Sequence, residues 1–172
     1  MRLPPAIACV LLACAANVDP WQPPSPRWER DTITVCAPEA WQPALRAATA
    51  WDGYGPAMRL GCEGADVVIA EGDAAGHEDG IAATTREVDG LEIVSAAVVM
   101  DESKASFGEV NELGPAWLYD RQSVLVHELG HVLGLGHVSD PNASMHERMW
   151  PGRISGRDLT AADVEEARRL YP

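Results

Sequence analysis

The sequence predicts an α+β fold, in which two helices pack on a mixed, twisted sheet of about five strands and a small C-terminal subdomain ends in a helix. Three observations predict it. Short β-branched or apolar runs recur between residues 33 and 100. Two longer stretches carry apolar residues at three- and four-residue spacing, which is typical of amphipathic helices. The last segment opens with a helix-capping pattern. At 172 residues the chain suits one domain.

The strands are predicted from short apolar stretches. Residues 33–36 are β-branched, and residues 58–60 form a weaker candidate. Residues 67–70 are a continuous apolar run, a pattern that favours a strand covered on both faces. Residues 81–88 and 91–100 flank Asp89-Gly90, a strong hairpin turn dipeptide. Antiparallel pairing there would place one of these two strands at an edge of the sheet.

Three helices are predicted from apolar spacing and end signals. The first opens at Pro38 and runs to about Asp52, where Gly53 stops it. The second covers residues 118–133 and ends at Gly134, a residue that adopts the left-handed conformation readily. The third covers residues 161–171, preceded by a capping box of Thr160 and Asp163.

The composition limits the partners of the chain. Apolar residues make up 47% and charged residues 23%, which is typical of a globular protein. Acidic residues outnumber basic ones by 26 to 13, and the formal net charge is −13. Phosphate binding needs a basic surface, so we expect no nucleic-acid partner. We also expect a monomer.

The first residues predict export. Arg2 supplies a positive charge ahead of a short apolar run at residues 6–13, as in a signal peptide. Residues 11–14 resemble the lipobox of bacterial lipoproteins, which implies cleavage before Cys14, a lipid on its sulfur and attachment to a membrane. Simple secretion is the alternative. We therefore expect the protein to be exported. It would lie in the periplasm, be held in the cell envelope as an outer-membrane lipoprotein, or be secreted. Residues 1–13 are then the signal peptide.

The four prolines of residues 14–30 predict an extended tether, so residues 31–172 form the folded domain. Cys36 and Cys62 lie within that domain. In an exported chain, a single pair of cysteines is most simply a disulfide. Two zinc ligands are the alternative, but these would need further Cys or His residues at ligand spacing nearby. None is present.

Residues 127–137 carry the chemistry, reading His-Glu-Leu-Gly-His-Val-Leu-Gly-Leu-Gly-His. His127 and His131 are one helical turn apart, so both rings can reach one ion. Gly134 lets the chain turn so that His137 becomes a third ligand. Three neutral nitrogens suit Zn²⁺ and leave a fourth position for water. Glu128 points about 100° round the helix and can take a proton from that water. The plainer alternative is an amphipathic helix with incidental histidines.

This spacing resembles the metzincin signature, His-Glu-x-x-His-x-x-Gly-x-x-His. The stretch from His137 to Met145 is similar to the matrixin branch, the matrix-metalloproteinase family. The resemblance implies a zincin-like fold in which Met145 lies beneath the metal and Asp163 braces its turn. It also implies a zinc metalloendopeptidase that acts through metal-activated water, with Glu128 as the general base. The polypeptide substrate would lie extended along the edge strand, residues 81–87, and the stretch around Trp150 would line the adjoining pocket.

Some features depart from the family pattern. His146 stands where an aromatic residue usually follows the methionine, no cysteine-switch propeptide is found, and His77 alone remains of a second zinc site. Ca²⁺ binding is possible at two acidic groups, although solvated acidic loops are the plainer reading. These groups are Asp73, Glu78 and Asp79, and Asp101 and Glu102. Two other functions stay open: a catalytically silent zinc-binding module and a cell-wall peptide hydrolase.

Overall fold

The computed structural model describes residues 25–74, 80–111 and 115–172. The predicted signal peptide, Cys14 and most of the tether lie outside the described residues, as do His77, Glu78 and Asp79. Export, lipidation and the tether therefore stay predictions. Among the described residues, no helix has the length and apolar character needed to cross a membrane.

The described residues include a mixed sheet of five strands, which confirms the predicted architecture. In chain order the strands are β1 (Thr32–Cys36), β2 (Ala57–Leu60), β3 (Val67–Glu71), β4 (Ala82–Asp89) and β5 (Glu92–Met100). Their order across the sheet is β2-β1-β3-β5-β4. Only β4 runs antiparallel to its neighbour. Two further short strands, β6 (Phe107–Gly108) and β7 (Tyr119–Asp120), pair with each other, and the sequence did not predict them.

The hairpin between β4 and β5 turns at Asp89-Gly90 as predicted. Gly90 has a φ of +63°, a backbone conformation that glycine adopts at little cost. The turn leaves β4 at one edge of the sheet. The expectation that β3 is covered on both faces is wrong. Val67 and Ile69 are buried, but Val68 between them is 45% exposed. Alternate side chains of a strand point to opposite faces, and the outer face of β3 is open at Val68.

The first helix, α1 (Gln42–Ala47), is shorter than the predicted 38–52. Pro43 has no N–H to donate to the carbonyl of Glu39, and its ring would clash there, so the helix cannot extend upstream. The chain then leaves the α-helical conformation at Ala48 and continues as a single 3-10 turn, Thr49–Trp51. This turn buries Trp51, whose indole N–H donates to the carbonyl of Val126 at 2.7 Å.

The second helix, α2 (Arg121–Leu133), begins three residues later than predicted because Asp120 caps it. The Asp120 carboxylate accepts the backbone N–H of Ser123 at 2.9 Å, which satisfies one of the unpaired donors of the first turn. The helix ends at Gly134, as predicted, with a φ of +105°. Nearly every side chain from 123 to 133 is buried. The helix therefore lies inside the domain against the inner face of the sheet.

The last helix, α3 (Ala161–Leu170), has the predicted capping box of Thr160 and Asp163. The Tyr171 hydroxyl that follows it donates to the carbonyl of Leu133 at 2.7 Å, so the end of the chain docks on the end of α2. The predicted disulfide between Cys36 and Cys62 is confirmed, and it joins the end of β1 to the loop after β2. One apolar core fills the space between the sheet and the helices.

Candidate metal centre and active site

The structure brings the three predicted histidines together. His131 Nε2 lies 3.1 Å from Nε2 of His127 and 3.1 Å from Nε2 of His137. The three ligand atoms all lie within 4.8 Å of one another. Nitrogen ligands of a tetrahedral zinc, at about 2.0–2.1 Å from the ion, are roughly 3.3 Å apart. The two spacings of 3.1 Å at His131 are therefore close to those of zinc ligands, and the third pair lies within 4.8 Å.

The hydrogen bonds of the rings decide which nitrogen faces the centre of the triad. His127 Nδ1 lies 2.6 Å from the carbonyl oxygen of Ser144, and His131 Nδ1 lies 2.9 Å from that of Leu135. A carbonyl oxygen only accepts hydrogen bonds, so each Nδ1 carries the proton and each Nε2 presents its lone pair. Lone pairs that converge at 3.1 Å repel unless a cation lies between them. This donor set fits a metal ion.

The rings of α2 are held neutral. Burial lowers the pKa of His127 to about 4, against the opposing effect of its bond to Ser144. Burial also lowers the pKa of His131 to about 4, and the neighbouring His127 acts in the same direction. Both rings are therefore unprotonated at neutral pH, the form in which imidazole binds a metal.

Gly134 makes the third ligand possible. Its φ of +105° turns the chain out of α2, and a Cβ at this position would lie 2.4 Å from the carbonyl oxygen of Pro26. A larger residue would be strained by the backbone angle and excluded by this contact. The exposed His137 then reaches back to His131 from beyond the helix.

Met145 is fully buried and packs against α2 at Gly130, between the two histidines of that helix. A Cβ at Gly130 would lie 2.2 Å from its sulfur, so the turn carrying Met145 packs directly on α2 where the helix has no side chain. The Asp163 carboxylate accepts the backbone N–H of Ser144 at 3.0 Å and that of Met145 at 2.9 Å. Sequence reasoning missed Gly130, although a glycine inside a buried helix signals close packing.

Glu128 is 5% exposed and lies beside the triad on α2. Its Oε2 accepts a hydrogen bond of 2.6 Å from the hydroxyl of Thr84, on edge strand β4. Sequence reasoning missed Thr84. The signal that could have found it is the alternation of side chains along the strand. Thr84 pairs with Val98 on β5, so both side chains lie on the same face of the sheet, and Val98 is fully buried in the core.

The remaining predicted residues lie elsewhere. Both oxygens of Asp101 accept protein donors, from Ser103 and from the backbone of Ala74, and Lys104 lies 3.5 Å away. Asp101 is therefore a turn cap. Glu102 and Asp73 are exposed. Calcium binding stays a prediction.

Two exposed tryptophans lie on segments that meet beyond Met145. Trp150 is 57% exposed and Trp117 is 65% exposed. The backbone N–H of Gly152 donates to the carbonyl of Leu118 at 2.7 Å, so the stretch around Trp150 packs against the loop that carries Trp117. Trp117 had no signal in the sequence. His146, predicted to depart from the family pattern, contacts the backbone of Arg148 through Nδ1.

Comparison with known sequences identifies related proteins. The sequence model of a peptidase family, described as Matrixin, matches residues 62–172. Metalloendoproteinase 1 of Glycine max is 39% identical over 71 residues, which are 41% of this chain and 23% of that protein. Metalloendoproteinase 1-MMP of Arabidopsis thaliana is 46% identical over 52 residues, 30% of this chain and 14% of that protein.

Matrilysin of Homo sapiens is 39% identical over 61 residues, covering 36% of this chain and 21% of the human protein. The chain thus spans less than a quarter of the length of the curated relatives it matches. The family match itself covers about two thirds of the chain and includes the three histidines, Glu128, Met145 and Asp163.

Proposed function

This chain belongs to the matrixin family, and from that membership we propose that it is a zinc-dependent endopeptidase. One observation carries the proposal. Three histidine ligand nitrogens converge beside α2, two of them fixed as acceptors by the hydrogen bonds of their rings, and a buried carboxylate, Glu128, lies beside them. A site of three histidines leaves a fourth metal position open, whereas structural zinc sites are closed by protein ligands.

His127, His131 and His137 are the residues that would hold the ion. A zinc ion bound by them would polarise a carbonyl group and lower the pKa of a water molecule to about 7. Ser144 and Leu135 fix the first two rings through their carbonyl oxygens, so these rings present Nε2 without reorientation.

Glu128 is the proposed general base. It follows His127 directly on the helix, and burial places its carboxylate where bulk water does not compete. Glu128 takes a proton from the attacking water and then passes that proton to the nitrogen of the leaving amine. A carboxylate that only supported a structural site would have no need for this position beside the ligands.

Strand β4 is the proposed binding edge for the substrate. It is the last strand of the sheet, so its outer side can pair with an extended polypeptide by β-augmentation. Its inner face meets α2 at Glu128. A peptide paired with β4 would therefore run past the proposed base.

The test is zinc analysis combined with digestion of an unfolded protein such as casein. We expect one zinc per chain and cleavage of internal peptide bonds. Glu128→Gln keeps the shape of the side chain but cannot take the proton, so it should hold zinc and lose activity by at least about 100-fold. Glu165→Gln, at an exposed position on α3, is the matched control and should leave activity unchanged.

A wild-type chain that holds zinc and cleaves nothing would overturn the proposal in favour of a silent zinc-binding module. Purified peptidoglycan assayed beside casein tests the cell-wall alternative. Release of cell-wall peptides without any cleavage of casein would replace the protein substrate with a peptidoglycan one.

A further inference from the structure

We propose that Thr84 is a positioning residue for Glu128: its hydroxyl holds one carboxylate oxygen and thereby sets the direction in which the other faces. This role rests on the proposed endopeptidase function. Thr84 acts through Glu128 and not on the reacting atoms.

The contact is short and charge-assisted. Thr84 Oγ1 lies 2.6 Å from Glu128 Oε2, within the range expected for a hydroxyl that donates to a carboxylate. The same hydroxyl lies 3.3 Å from the backbone carbonyl of Glu128. A hydroxyl has a single proton, and the nearer, charged oxygen is the stronger acceptor. The proton of Thr84 therefore belongs to the bond with Oε2.

Thr84 and Glu128 differ in how firmly their own elements hold their side chains. Thr84 is β-branched and stiff about χ1, and it lies on a strand whose pairing with β5 fixes its backbone. Glu128 has a long side chain that helix geometry alone does not orient. A bond from the strand to Oε2 fixes the rotation of the carboxylate about its last bond. It thereby sets the direction in which the lone pairs of Oε1 point.

This arrangement also couples the base to the substrate edge. The strand that carries Thr84 is the one whose outer side is proposed to pair with substrate. The distance between a peptide on β4 and the carboxylate of Glu128 is then set through a single rigid element. Proton transfer depends steeply on such placement, so loss of the hydroxyl should lower kcat more than it raises KM.

The experiment compares variants of the full chain loaded with zinc. Thr84→Val keeps the shape and removes the hydroxyl, and Thr84→Ser keeps the hydroxyl and removes the methyl group. Zinc content, thermal midpoint, kcat and KM are measured on a fluorogenic peptide. Thr84→Val should lose about tenfold or more in kcat, with zinc content and KM within about twofold of the wild type. Thr84→Ser should retain most of kcat.

The matched control is Thr34→Val, a threonine on β1 of the same sheet, which β3 and β5 separate from β4. It should leave kcat and KM unchanged. If Thr84→Val does not fold, the pair Thr84→Ser and Thr84→Ala isolates the hydroxyl, with the serine variant active and the alanine variant impaired.

Three results would overturn the role of Thr84. The first is wild-type kcat in Thr84→Val, and the second is a serine variant as impaired as the valine or alanine variant. The third is a loss of kcat that is matched by loss of zinc. All three are seen against an active wild type, so they leave the proposed function standing. A wild-type chain that holds zinc and cleaves nothing overturns both.

Discussion

The two ends of helix α2 are fastened to the domain by different kinds of contact. At its start, the buried Asp120 carboxylate forms an ion pair with Arg157, with Oδ1 and Nη2 2.5 Å apart. At its histidine end, which runs from His127 at mid-helix to Leu133, His127 donates to the carbonyl of Ser144, and Asp163 accepts backbone N–H groups of the same turn. In the part of the chain that the structure describes, Asp163 forms no ion pair with a basic side chain, and its carboxylate is held by N–H and hydroxyl donors.

The two ends of the helix therefore have different roles. A counter-ion compensates the buried charge of Asp120, and this contact ties residues Ser155–Arg157 to the start of the helix. At the other end, burial keeps His127 and His131 neutral. A positive ion can then be bound there without displacing a proton from either ring.

The two ends should differ most in how pH changes the free energy of unfolding of the metal-free chain. His127 and His131 have pKa values near 4 when folded, because of burial, against 6.5 for an ordinary histidine. As the pH falls from 6.5 towards 4, only the unfolded state takes up these protons. The folded state should lose several kcal/mol over that window. Urea unfolding at successive pH values measures this loss.

The start of the helix should respond only at lower pH. Burial alone would raise the pKa of Asp120, but the bonds from Arg157 and Ser123 outweigh it and hold the pKa below 3.8. The stability from this group is present above pH 3.8 and is lost as the pH falls below it. His131→Gln removes one of the two histidines, so it should reduce the loss of stability between pH 6.5 and 4 and leave the loss below pH 3.8 unchanged. If the free energy of unfolding declined only below pH 3.8, the expected difference between the two ends would be wrong.

A second test is Asp163→Asn. Four donors bond the Asp163 carboxylate, and an amide would turn an N–H group towards some of them. We expect the free energy of unfolding to fall by about 3 kcal/mol. The turn at Ser144 orients His127, so zinc affinity should fall by about tenfold or more, measured by competition with a chelator.

Asp158→Asn, whose side chain is exposed in the same segment, is the control for that substitution. Unchanged zinc affinity in Asp163→Asn would mean that the turn does not transmit its position to the metal ligands.

The smallest expected effect comes from Arg157→Met. It removes the counter-ion and leaves the Asp120 carboxylate, 1% exposed, without compensation. Arg157 is itself 28% exposed, so we expect a loss of about 2 kcal/mol, below the value for a fully buried pair. Urea unfolding measures the loss, while kcat and zinc affinity should stay within about twofold of the wild type. If zinc affinity in Arg157→Met falls as far as in Asp163→Asn, the two ends of the helix do not have different roles. Arg153→Met, at an exposed position nearby, should change neither quantity.

Local interactions made much of this protein predictable from its sequence. The Asp89-Gly90 turn, the capping box at Thr160 and the end of α2 at Gly134 each depend on residues within a few positions of one another. The histidines were predictable for the same reason, since helical spacing alone brings His127 next to His131.

Tertiary structure decided which distant groups meet. Thr84 lies 44 residues from Glu128, and Asp120 lies 37 residues from Arg157. The sequence predicted a strand for Thr84 and a helix for Asp120, but the partner of neither. The exposure of Val68 and the approach of Met145 to Gly130 were likewise set by how the elements pack. Periodicity determines which face a side chain takes on its own element, and only the packing of elements determines what that face contacts.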